Sequence, residues 1–328
     1  MTLQTGFGIV VGFIVTYILI VLCMPKLIEF LHKVKFGQTE RHEENYLESH
    51  IQKNGTPTMG GIAFIVGPVL VYILLCICKL ASFDFYAIVL MLAFVGYGII
   101  GFIDDYIIVV QKDNTGLKPI YKFGMQSILA VVFYILYSLN METTLWIPVF
   151  HVAIPIGILY FILIFIMFTA ESNAVNLTDG VDGLCAGLMC IALIPFIVFA
   201  YRQSSFSIVT FLGCVEGGLL AYLKFNKHPA QIFMGDTGSL ALGGLIAAVA
   251  MVLKQEILLV IIGGVFVAET LSVIIQVTYY KRTKKRIFRM APLHHHFEKG
   301  GMSEVEVVKL FYKAGFILAF IGLILGVI

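Results

Sequence analysis

Five short stretches of this sequence carry side chains whose types and spacing could do chemistry, and long apolar runs separate them. Gly101-Phe102-Ile103-Asp104-Asp105-Tyr106 sets two carboxylates side by side, and adjacent like charges repel unless a cation sits between them. Glu171 to Gly183 contains Asn176, Asp179 and Asp182 at intervals of three, with no lysine or arginine to neutralise the acids. One helical turn would bring those three together. Oxygen donors without basic neighbours suit Mg²⁺, which keeps several waters and shares substrate phosphates. A third stretch runs from Asn226 through Phe233 to Gly235-Asp236-Thr237-Gly238-Ser239. There Asp236 or Thr237 could cap a helix, or Asp236 could be a further metal ligand. A fourth, Pro292-Leu293-His294-His295-His296-Phe297-Glu298, lacks the spacing of a zinc helix. It reads as a phosphate-binding or proton-handling cluster, or as a polar loop beside lipid headgroups. The fifth is Lys53-Asn54-Gly55-Thr56-Pro57-Thr58-Met59-Gly60-Gly61. It is either a turn with Thr58 as a helix cap, or a lysine beside free glycine N–H groups that cradles a phosphate.

The elements that must position these residues follow from composition. The chain has 328 residues, 59% hydrophobic and only 13% charged, with a mean hydropathy of +0.96. A soluble domain carries about 25% charged residues, so lipid must cover the missing polar surface. Long apolar runs without alternation select helices over a barrel. Ten spans are expected, at 7–31, 58–78, 86–103, 121–139, 152–170, 183–200, 207–223, 238–253, 257–280 and 308–328. The fold class is thus an all-α polytopic membrane protein, a single integral domain over 1–328 with no room for a soluble one. The first run lacks a basic leader and a small-residue cleavage site, and is expected to be a retained span. All six cysteines lie in apolar runs and read as small buried hydrophobes. Gly213, Gly217 and Gly218 could let helices approach closely. The net charge of +2 is too small to indicate a nucleic-acid partner.

Lysine and arginine set the orientation. They crowd the odd-numbered loops, ending in the run from Lys281 to Arg289, whereas the even-numbered loops hold only Lys79, Arg202 and Lys254. Odd loops therefore face the cytoplasm, both termini face outward, and all five stretches fall on the cytoplasmic side. The third span would then run inward, leaving Asp104 and Asp105 at the negative end of its dipole, where each is disfavoured by about 0.3–1 kcal/mol. The sixth and eighth spans would present positive N-termini there, which favours a phosphate held between them.

Taken together and in order, these motifs closely resemble the phospho-N-acetylmuramoyl-pentapeptide-transferase family of the polyprenyl-phosphate N-acetylhexosamine-1-phosphate transferases. The resemblance covers essentially the whole chain. It implies a Mg²⁺-dependent reaction at the bacterial cell membrane, with the active site facing the cytoplasm. UDP-N-acetylmuramoyl-pentapeptide (UDP-MurNAc-pentapeptide) and undecaprenyl phosphate would react to give lipid I and UMP, the first membrane step of peptidoglycan synthesis. It also implies a homodimer. The family's functional positions carry over to Lys53, Thr58, Asp104, Asp105, Lys122, Asn176, Asp179, Asn226, Phe233, Asp236, Gln276 and His294, His295 and His296. Asp236 is the expected metal ligand, with Asp105 or Asp179 nearby, and Asp104 is expected to handle the lipid phosphate. Lys122, Asn176 and Phe233 are assigned to the nucleotide, Phe233 as a stacking surface for uracil, and the histidines to the phosphate or sugar side. One departure is visible: many members carry a lysine three residues after the second aspartate, where this chain has Ile108, and Lys112 or Lys118 could substitute.

Phosphoryl transfer asks a protein for positioning and charge neutralisation more than for covalent chemistry. A phosphate monoester with a second pKa near 6 needs little help to lose its proton at neutral pH, so direct attack by the lipid phosphate is expected over an aspartyl-phosphate intermediate. Two rivals remain at this level. A sister enzyme would move GlcNAc-1-phosphate onto the same lipid, although Thr56-Pro57-Thr58-Met59 and the unbroken histidines favour the muramoyl substrate. An ion-coupled transporter would use Glu216 and Glu269 as relay groups, but the outer loops are nearly featureless, and helix-packing roles are expected for both.

Overall fold

The computed structural model describes residues 3–34, 55–110 and 116–328. Its helices are α1 (Leu3–Lys33), α2 (Gly61–Ile77), α3 (Phe85–Val110), α4 (Pro119–Asn140), α5 (Leu159–Thr178), α6 (Leu184–Arg202) and α7 (Phe206–Asn226). They continue with α8 (Gly235–Val252), α9 (Glu256–Ile262), α10 (Gly264–Thr283), the short α11 (Leu293–Glu298) and α12 (Glu304–Val327). Eight are long and apolar enough to cross a membrane, and α9 with α10 forms a further span bent by 78°. With the apolar α2, one residue shorter than the shortest of those eight, each of the ten expected apolar runs has a helix in it. A small hairpin, β1 (Thr144–Ile147) against β2 (Val152–Pro155), occupies the start of the expected fifth span, so α5 begins only at Leu159.

Burial ranks the helices. The buried share is 89% in α8 and 83% in α7, against 22% in α4 and α12. A helix apolar on all sides belongs in the interior. Accordingly α8 is the central post, flanked by α3 and α5, while α4 and α12 turn Ile120, Ile128, Ile135, Phe316 and Phe320 outward to lipid. The expected glycine contact holds in α7: a Cβ on Gly217 would lie 2.3 Å from the Phe13 carbonyl of α1, so only glycine permits that crossing.

The two ends of the bundle differ sharply. At one end, Lys254 donates to the Glu142 and Thr144 carbonyls and lies 4.6 Å from the Tyr160 ring, and burial lowers the pKa of its amine. Arg202 donates to the Val327 carbonyl, and Gln203 to the Leu253 carbonyl. A cavity of about 570 Å³ lined by Trp146, Arg202, Lys254 and Gln255 opens there. The described parts of the five motif stretches meet at the opposite end, as the orientation rule leads one to expect.

Candidate active site

Three helices extend further than their hydropathy alone indicates, and the extra turns carry the chemistry. α3 continues through Asp104 and Asp105 to Val110, although its apolar run stops at Ile103. α5 continues through Asn173 and Asn176 to Thr178, so most of what reads as a cytoplasmic segment is its last two turns. Asp179 is the C-cap of α5, and α6 starts after Gly183 at φ +78°. α12 begins at Glu304, four residues earlier than expected, behind a reciprocal pair in which Ser303 Oγ accepts the Glu306 amide and Glu306 accepts that of Ser303.

Asp104 and Asp105 point to different tasks, as successive helical residues must. Asp105 is 4% exposed and accepts from the Asp236 amide (3.1 Å), the Thr237 amide (2.9 Å) and Thr237 Oγ1 (2.6 Å). Its carboxylate thus sits on the positive N-terminus of α8, which offsets the penalty expected from its own helix. It follows that α8 is capped from another helix, and neither Asp236 nor Thr237 caps it. Gly235, at φ +70°, makes room: a Cβ there would lie 2.3 Å from Asp105 Oδ2. The N-terminus of α6 is filled in a similar way, because the Gly183 amide donates to Asn226 Oδ1 at 3.1 Å. The expected phosphate seat between the two N-termini is therefore taken by the protein's own side chains.

Beside this cap lies a polar hub. Lys122, from the first turn of α4, reaches Asp104 Oδ2 at 3.0 Å and also ion-pairs with Asp236. Asp104 Oδ1 accepts the Leu117 amide at 2.6 Å. Asn176 Nδ2 donates to Asp236 Oδ1 at 2.7 Å and lies 2.8 Å from Ser239 Oγ. Four helices contribute, and the hub is only partly open: the side chain of Asp236 is 25% exposed, that of Lys122 17% and that of Asp104 8%. The hub's two carboxylates share one ammonium, the carboxylate of Asp105 lies directly behind them, and the groups able to meet a cation there are oxygens. Thr58 Oγ1, buried 2.7 Å from where a Gly235 Cβ would stand, has no hydrogen-bond partner among the described residues. Such a hard-oxygen, carboxylate-rich site fits a divalent cation such as Mg²⁺.

The remaining expected residues surround the hub without joining it. Thr58 does not cap α2, which starts at Gly61 behind Gly60. Its stretch pairs by backbone with the next motif, Phe233 N–H to the Pro57 carbonyl and Gly60 N–H to the Phe233 carbonyl, each at 2.8 Å. This leaves the Phe233 ring half-buried. Asn226 is buried with both ends of its amide engaged, Nδ2 going to the Ile232 carbonyl at 2.9 Å. Gln276 folds the basic loop back on itself, accepting the Ile287 and Phe288 amides at 3.0 Å. Asp179 is half-buried, its amide on the Asn176 carbonyl. Of the histidines, His294 is buried against Gly180, His295 Nδ1 lies 2.7 Å from Glu298, and His296 Nδ1 accepts the Arg289 amide. Lys53 and Lys112 lie outside the described residues. Lys118, the exposed N-cap of α4, makes no contact with the hub among the bonds found there, and Ile108 faces Gly116 beside Asp104.

Sequence reasoning missed two groupings. Asp182, His228 and Glu304 converge so that one ligand-capable atom from each lies within 4.8 Å of the others. Asp182 Oδ2 is 3.1 Å from His228 Nδ1 and accepts the Ala230 amide at 3.0 Å, and Glu304 is 3.5 Å from the same ring nitrogen. No signal in the linear sequence joins three single residues on separate segments. The second is the pairing of Glu269, for which only a helix-packing role was expected, with the start of the histidine helix.

The chain matches the family model for glycosyl transferase family 4 over residues 87–254, and phospho-N-acetylmuramoyl-pentapeptide-transferase signature 1 over residues 53–65. It is 48% identical over 322 residues to the phospho-N-acetylmuramoyl-pentapeptide-transferases of Bacillus velezensis and Bacillus subtilis, covering 98% of this chain and 97% of theirs. It is equally similar to that of Bacillus mycoides over 326 residues, 99% of both chains.

Proposed function

The chain belongs to the phospho-N-acetylmuramoyl-pentapeptide-transferase family within glycosyl transferase family 4, and from that premise we propose which residues do the work. It is a multi-pass protein of the bacterial cytoplasmic membrane that transfers phospho-MurNAc-pentapeptide to undecaprenyl phosphate, forming lipid I in peptidoglycan synthesis. The transporter reading falls with that membership, and the signature over residues 53–65 speaks against the GlcNAc sister enzyme. The observation that carries the assignment is the convergence of Asp104, Lys122, Asn176 and Asp236 from four helices at one membrane surface. A cytosolic nucleotide and a lipid phosphate can both reach such a place.

In this reading the diphosphate of UDP-MurNAc-pentapeptide lies over the hub. Asp236 and Asp104 would hold Mg²⁺, which when bound neutralises the diphosphate and the departing UMP. Asp105, whose oxygens secure the start of α8, supports Asp236 from behind and replaces neither ligand. An oxygen of the lipid phosphate attacks the sugar-bearing phosphorus, and the bond from that phosphorus to UMP breaks. Direct attack is supported by the second pKa of a phosphate monoester, near 6, which leaves the attacking oxygen ionised at neutral pH without a base from the protein. Lys122 neutralises charge between the two carboxylates, and Asn176 orients Asp236. Phe233 offers a half-exposed ring to the uracil. The chain acts as one domain over 1–328, a reading supported by α1 packing on α7 and α12 on α6 and α9. It is proposed to work as a homodimer.

The test is lipid I formation by purified protein with both substrates, with and without Mg²⁺ and with Asp236→Asn. Equal turnover in all conditions would sink the metal assignment. UMP release without lipid acceptor, together with phosphorylated Asp104, would overturn direct attack.

A further inference from the structure

We propose that Glu269 is a positioning residue for the transfer reaction, acting through His294. The inference rests on the reading of the active site given above. Glu269 is fully buried in α10, within the lower arm of the bent span, where an isolated carboxylate is costly. Among the described residues, the hydrogen bonds of its carboxylate go to one short element. It accepts the Leu293 amide at 2.6 Å, the His294 amide at 3.2 Å and the His294 ring at Nδ1, 3.0 Å away. Two backbone amides would be enough to anchor α11. The third bond does something more: with a carboxylate accepting at Nδ1, the ring proton stays on Nδ1 and the lone pair stays on Nε2.

That nitrogen has no hydrogen-bond partner among the described residues, although it is buried. It points at the turn between Asp179 and Asp182, close enough that a Cβ on Gly180 would lie 2.3 Å from it. A buried ring nitrogen without a partner is costly in the resting protein. It becomes useful when a donor arrives. The geometry therefore assigns His294 Nε2 as a hydrogen-bond acceptor for a hydroxyl or N–H group of the nucleotide sugar. Glu269 keeps it in that form, and the Gly180 backbone leaves the space.

Glu269→Gln tests this directly. Its amide oxygen can still accept a backbone N–H, but its NH₂ turned to Nδ1 would donate there and push the ring proton to Nε2. The expected result is a fall in kcat/KM of about 10–100-fold, with the melting temperature nearly unchanged. In a His294→Ala background the same substitution should cost little more, since residues acting as a unit are not additive. Unchanged kcat/KM in Glu269→Gln, or an equal further loss in the His294→Ala background, would overturn the positioning role. A measurement on the unmutated protein covers a variant that fails to fold. With ¹⁵N-labelled histidine, the His294 signals (identified by their loss in His294→Ala) should show a protonated Nδ1 and a bare Nε2, and the reverse pattern refutes the proposal. Asp236→Asn keeps the two questions apart: if it abolishes turnover while Glu269→Gln does not, only this inference fails. If neither matters, the active-site reading fails with it.

Discussion

Adjacent aspartates with the same chemistry do different work in this protein because the helix turns between them. Asp104 faces the hub and shares Lys122 with Asp236, whereas Asp105 faces α8 and holds its first amides. The difference predicts opposite signatures. Asp236→Asn and Asp104→Asn should lower lipid I formation by about 10²–10³-fold, the range for losing one charge-stabilising group, with thermal stability unchanged or slightly raised. Asp105→Ala should instead lower unfolding stability by about 1.5–3 kcal/mol, the cost of losing charge-assisted bonds that leave buried donors behind. Thermal melts beside initial rates would check both, and equal destabilisation by all three variants would contradict the division of labour. At this scale the reacting carboxylates were legible as residue types in the sequence. Their orientation was not, since it depends on where α3 ends and what α8 offers it. Lys122 was recognisable only through the family resemblance, because a single lysine at a helix start carries no pattern of its own.

Elements here are joined by backbone at the points where the motifs meet, which explains why those motifs are rich in glycine. The 57–61 stretch and the 231–234 stretch exchange amide hydrogen bonds, and α8 begins directly after them at Gly235. An alanine at Gly235 would have to adopt a left-handed backbone, at about 1–2 kcal/mol, and would drive its Cβ into the Asp105 carboxylate. Gly235→Ala should therefore both destabilise the protein by roughly 2 kcal/mol or more and reduce turnover by tilting Asp236, whereas Gly55→Ala, with nothing within 4 Å, should pay only the backbone strain. Comparable loss of activity in the two variants would argue against this account. Hydropathy located every span but misjudged the ends of α3 and α5, because polar residues in a last helical turn look like loop when their partners on other helices are unseen. The tie from α6 to α12 through Asp182, His228 and Glu304 was hidden for the same reason, its first two members being 46 residues apart.

On the scale of the molecule, every grouping described above lies at one end of the bundle, and the other end is held by carbonyl contacts of Lys254, Arg202 and Gln203. Composition and the lysine and arginine count were enough to foresee this polarity, since the cost of burying charge in lipid acts on the whole chain and leaves a periodic trace. Convergence within the polar end was beyond them, because it is a property of packing around α8. A cytosolic nucleotide donor demands that the polar end be the cytoplasmic one, and this can be tested without substrate. With the six native cysteines replaced, single cysteines at Ser82 and Gln203, both exposed at the featureless end, should react with a membrane-impermeant maleimide in intact cells. Cysteines at Lys227 and Lys284, exposed beside the motifs, should react only after the membrane is opened. The reverse pattern would turn the protein over in the bilayer and separate the hub from the compartment that supplies its nucleotide. Labelling from both sides at one position would instead mean that the polar end is reached through the bundle, which the buried α8 forbids.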